Sequence, residues 1–89
     1  MTTSFTAREL QEHFAHCVQV FGGIQATSRR LGIDERAIRR FINDERPVSP
    51  GLLQDTATAL HLLIAEATAA EEQIVAGLGG GLASRAPSI

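Results

Sequence analysis

Ile24-Gln-Ala-Thr-Ser-Arg-Arg-Leu-Gly-Ile-Asp-Glu-Arg-Ala-Ile-Arg-Arg-Phe41 reads as two short helical stretches on either side of a glycine. A residue without Cβ tolerates the positive φ of a tight interhelical turn, so Gly32 separates a helix over Ile24–Leu31 from a following one. Asp34 stands where that next helix opens and predicts an N-cap, its carboxylate accepting from the amide of Arg36 or Ala37. The helix is expected to run to about Asn43. At about 100° per residue, Arg36, Arg39, Arg40 and Asn43 share roughly one third of its circumference, and Ala37, Ile38, Phe41 and Ile42 lie opposite. The pattern predicts an element split between an apolar half turned to a core and a cationic half turned outward.

Working outward, Thr6-Ala-Arg-Glu9 has the form of a capping box, with Phe5 and Leu10 spaced for a hydrophobic staple. Leu10, Phe14, Cys17, Val18 and Phe21 then recur every three or four residues until Gly22-Gly23, predicting a first helix over 6–21. On the other side, Asn43-Asp-Glu-Arg-Pro-Val48 reads as a polar loop, and Ser49-Pro50 restarts a helix as cap and first residue. No strong breaker follows before Gly77, so the pattern allows one long C-terminal helix or a pair with a bend near 65–70. Leu53, Ala57, Leu60, Ile64, Ala67, Ile74 and Leu78 follow steps of four and three, interrupted by Glu71, with Leu52, Leu63 and Ala70 widening the stripe. A helix so apolar in a small chain has surface for both a core and a partner subunit, which makes Leu53, Leu60, Ile64, Ala67 and Ile74 candidate dimer-interface residues. Gly79-Gly80-Gly81 and the residues after them read as a flexible tail.

The expected fold is therefore all-α: a four- or five-helix bundle, one domain over 1–78 and a tail over 79–89. The chain has 89 residues, enough for one domain with a modest core, and dimerisation would add burial. Its formal net charge is −2, which argues against a protein that coats nucleic acid. The charge is unevenly spread. Residues 25–46 carry six Arg against Asp34, Glu35, Asp44 and Glu45, a local +2, whereas 47–89 set Arg85 against Asp55, Glu66, Glu71 and Glu72. Every basic side chain is Arg, which suits bidentate contacts to phosphate and guanine, although a GC-rich genome gives the same bias. Cys17 is the one cysteine, so no internal disulfide forms, and it reads as a small buried hydrophobe. With no leader pattern and no apolar run of membrane length, a cytoplasmic setting is expected.

Arg can donate two hydrogen bonds to guanine O6 and N7, and Asn can pair with adenine N6 and N7; either can instead fix a phosphate. The helix after Gly32 thus has the composition of a groove reader. A solvated surface with pairs such as Glu35–Arg39, and Glu45 with a nearby Arg, is the plainer alternative. The stretch 24–41 also resembles the helix-turn-helix of phage-repressor-like (Cro/CI, XRE-type) transcriptional regulators. Ser28 takes the small-residue site, Gly32 the turn, Leu31 and Ile33 the flanking apolar sites, and Ile38 and Phe41 the buried sites. The resemblance covers about residues 24–50 and departs at Ser28, where Ala is commoner, and at Thr27, where an apolar residue is usual. It implies DNA base contacts from Glu35, Arg36, Arg39, Arg40 and Asn43, and phosphate contacts from Gln25 and Arg29. Asn43–Val48 resembles the loop that approaches the DNA backbone in that family, placing Arg46 at phosphate too. Asp34 reads better as a cap than as a base contact.

His13 and His16 share a helix face beside Cys17, yet two ligands do not make a metal site, and no metal or other cofactor is expected. Nor is there a phosphate-binding glycine loop or a nucleophile with a base at suitable spacing, so no catalysis is expected. The expectation is a sequence-specific DNA-binding regulator, a repressor acting on double-stranded DNA as a homodimer. The rival is a protein-interaction module, an antitoxin or adaptor, whose acidic apolar C-terminal helix grips a second protein.

Overall fold

The computed structural model describes residues 5–79, which form four helices and no strand: α1 (Ala7–Phe21), α2 (Ile24–Leu31), α3 (Glu35–Ile42) and α4 (Pro50–Gly77). Residues 80–89, most of the expected tail, lie outside the described residues. The capping box forms as read, with the Thr6 amide donating to Glu9 Oε1 at 2.9 Å and the Glu9 amide to Thr6 Oγ1 at 3.1 Å. The Phe5 ring, spaced to lie over Leu10, stands against the ring of His13 at 4.6 Å between centroids. Gly22 ends α1 at φ 110°, and the Gly23 amide donates back to the Val18 carbonyl at 2.8 Å. Both glycines hold conformations that side chains rarely adopt, which turns the chain sharply into α2.

Leu10, Phe14 and Val18 of α1, Ile38 and Phe41 of α3, and Val48 of the following loop form the core. Phe14 and Ile38 are fully enclosed. Each contributes on the order of 1.5–3 kcal/mol by leaving water. The Phe14 and Phe41 rings meet edge to face at 5.5 Å, an arrangement that aromatic quadrupoles favour. A polar tie joins the same two helices where Gln11 Nε2 donates to the Ile42 carbonyl at 2.6 Å. Cys17 is half-buried on this face, and burial raises its thiol pKa above the ordinary value.

The C-terminal segment is one helix of 28 residues and not a pair. Ser49 caps it by accepting from the Leu52 amide at 3.0 Å, and Pro50 follows at its first position. At about 1.5 Å per residue such a helix spans some 42 Å, and it sets the long axis of a molecule measuring 49 × 28 × 22 Å. The radius of gyration of 17.0 Å reflects the overhang, since a compact chain of this length would have about 12 Å. Only the first half of α4 is seated. Thr56 and Ala59 are buried and Leu52, Leu53, Leu60 and Leu63 half-buried, whereas every residue from Ile64 to Ile74 is exposed. Leu53, read as an interface residue, packs in part against its own chain's core. Leu60 sits at the boundary.

Candidate nucleic-acid interface

The turn between α2 and α3 is built around Gly32 at φ 68°, whose amide donates to the Ser28 carbonyl at 2.8 Å. Ser28 adds a second tie across the turn, its hydroxyl donating to the Ile33 carbonyl at 2.6 Å. An alanine at this small-residue site could not make that bond. Thr27 is wholly buried, and its hydroxyl donates to the Gly23 carbonyl at 2.7 Å. A side chain of nearly the volume of valine thus fills an apolar site while its polar atom is satisfied within its own helix. Both departures from the resembled pattern are explained by local hydrogen bonds that the spacing of apolar residues does not reveal.

On this platform α3 is divided as the periodicity predicts. Ile38 and Phe41 are buried, Ala37 and Ile42 pack beside them, and Arg36, Arg39, Arg40 and Asn43 are all exposed. Glu35 is half-buried and pairs with Arg39 at 3.6 Å along the helix. Arg36 and Arg40 form no ion pair among the described residues. In water an exposed pair such as Glu35–Arg39 is worth about 0.3–0.5 kcal/mol, so Arg39 is easily released to another acceptor. Glu45 forms no ion pair among the described residues. Gln25 and Arg29 are exposed on α2. Arg46 is exposed in the loop, its guanidinium carbon 5.3 Å from the centre of the Phe41 ring. That contact steadies a flexible cation next to α3.

The four helix N-termini fall into two kinds. Those of α1 and α4 are capped by Thr6 and Ser49. By contrast α2 opens on Gly23, which has no side chain, and the Asp34 carboxylate makes no capping hydrogen bond to α3. The expected Asp34 cap is corrected accordingly. Asp34 enters at φ −58° and ψ 140°, and its carbonyl, not its carboxylate, accepts from the Ile38 amide. The free amides and positive dipole ends of both helices remain available to an anion. At its far end α3 closes with Asp44 at φ 61° and the Glu45 amide donating to the Arg40 carbonyl at 2.8 Å, which turns the chain away after Asn43.

Arg30, which has no place in the sequence-based reading, points away from this face. Its guanidinium donates to Glu66 of α4 at 2.7 Å, beside an open groove lined by Phe21, Ala26 and Arg29. The hydrogen bond raises the Arg30 pKa and holds the Glu66 carboxyl below its ordinary value. No sequence signal links positions so far apart. The pair marks where the helical body ends and the overhang of α4 begins. Neither known family patterns, curated proteins nor solved structures match the chain.

Proposed function

We propose that the chain is a sequence-specific DNA-binding transcriptional regulator of the helix-turn-helix kind, acting as a homodimer on a palindromic operator. Support comes from α3: its apolar side is consumed by the core, and its outer side presents Arg36, Arg39, Arg40 and Asn43 together. These groups match the donors and acceptors of base edges in the major groove, with Glu35 placed for a cytosine amine. Gln25 and Arg29, with the uncapped amides of α2, supply phosphate contacts on one side, and Arg46 supplies one on the other. A single unit reads only a few base pairs, so two half-sites about 34 Å apart are needed for useful specificity. Occupying an operator suffices to repress, which makes a repressor the simplest form of this activity.

Mobility shifts with Arg39→Ala and Arg40→Ala test the reading. Loss of sequence-specific binding with the fold intact is expected, and undiminished binding would remove α3 as the reading element.

One observation favours the rival, a module that binds another protein: the distal half of α4 is apolar, acidic and uncovered. Salt separates the two. A protein that neutralises several phosphates loses DNA affinity steeply between low and moderate salt, whereas a flat response favours the protein-binding module.

A further inference from the structure

We propose that two copies of the chain associate through the distal half of α4 in antiparallel orientation, Ile64 of each against Ile74 of the other. This rests on the homodimer reading above and specifies its geometry. Ile64, Ile74 and Leu78 are 62%, 56% and 54% exposed, so apolar side chains continue along α4 beside and beyond its seated positions Thr56, Ala59 and Leu63 and stand largely uncovered. Leu60, Ala67 and Ile74 form one set spaced by seven, and Ile64, Glu71 and Leu78 form the other. In an antiparallel helix pair, members of one set face members of the other. A single register sets Leu60 against Leu78, Ile64 against Ile74, and Ala67 against Glu71 at once.

Glu71 decides between registers. Sliding one copy by a heptad lays its carboxylate against Leu60 or against Ile74, where an unpaired charge among apolar side chains is costly. Opposite Ala67 it meets only a methyl group, with room to reach sideways. Ala67 adjoins Glu66, and at that level stands Arg30. Arg30 engages Glu66 through one of its five donors. The partner's Glu71 thus arrives beside the Arg30–Glu66 pair. Charge also sets the orientation. From Pro50 to Gly77 the charged residues are Asp55, Glu66, Glu71 and Glu72, with no Arg or Lys. A parallel pair would set Glu71 against its own copy within the seam, whereas the antiparallel register sets only Glu66 level with the partner's Glu72, outside it.

In this register the two-fold axis crosses at the level of Ala69, about eleven or twelve residues from the middle of the seated segment 52–63. At about 1.5 Å per residue the seated segments of the two copies stand roughly 35 Å apart along α4.

The test uses the full chain without DNA. Light scattering on the native protein is expected to give twice the 9.5 kDa chain mass, and Ile64→Glu, at an exposed site, to give a monomer with unchanged helicity. A monomeric native protein at high concentration overturns the interface. In a Cys17→Ala background, Ile64→Cys and Ile74→Cys, one carrying a mass tag, are mixed and mildly oxidised. The mixed disulfide between positions 64 and 74 is expected to dominate. Disulfides formed within each variant alone, or no preference for the mixed pair, overturn the register while leaving a dimer standing. Failure of DNA binding would leave both results untouched.

Discussion

α3 and the distal half of α4 are both exposed helical surfaces, yet they reach that state in opposite ways. In α3 every apolar side chain is turned into the core or packed beside it, so what remains outside is cationic and polar. Beyond Leu63, α4 keeps the apolar stripe of its seated half but has no core beneath it, and its charges are acidic. Hydrophobic burial explains the position of the first surface and leaves that of the second unexplained within one chain. Under the proposed function the two surfaces take different partners, a polyanion at α3 and a second copy's helix at α4.

The largest effect that can break this contrast is on stability. Replacing the fully buried Ile38 by Ala is expected to cost about 2–5 kcal/mol in denaturant unfolding. Ile64→Ala, read on the isolated monomer, should stay within about 0.5 kcal/mol. An equal cost at both sites would mean that the distal half is seated after all. Next in size, Arg40→Ala is expected to reduce specific DNA affinity by about 1–3 kcal/mol, five- to 150-fold, without moving the melting temperature. A fall in stability to match would return Arg40 to a structural role. Thr27→Val tests the platform beneath α3. It preserves volume but removes the donor to Gly23, and thermal melts should show a loss of about 1 kcal/mol. The smallest effect concerns Glu66. Its carboxyl pKa is lowered in the folded chain, so the stabilisation it brings is present above the ordinary carboxylate value and is lost as pH falls through the lowered one. Glu66→Gln should melt slightly below the native protein at neutral pH, and the gap should close on acidification.

Most of the architecture was legible because it rests on local rules. The box at Thr6–Glu9, the stop at Gly22-Gly23, the turn at Gly32 and the Ser49-Pro50 start each depend on residues within five of one another. The split of α3 follows from a period of 3.6 alone. Periodicity could not tell which part of the α4 stripe finds a core, because that depends on how far the body extends. For this reason Leu53 reads as a partner contact although it packs in part on its own core, and one long helix reads no differently from two. Asp34 has the residue type of a cap, but whether its carboxylate turns back depends on a rotamer that no spacing encodes. Hydrogen bonds that cross elements, Gln11 to Ile42 and Arg30 to Glu66, have no sequence signal at all.

Whether the outer face of α3 reads DNA can be decided by selecting bound sequences from a random double-stranded pool at moderate salt. Enrichment of an inverted repeat whose half-sites are centred about 10–10.5 base pairs apart is expected, lost with Arg39→Ala and Arg40→Ala. A pool that returns unenriched would rule out α3 as a reader of DNA sequence.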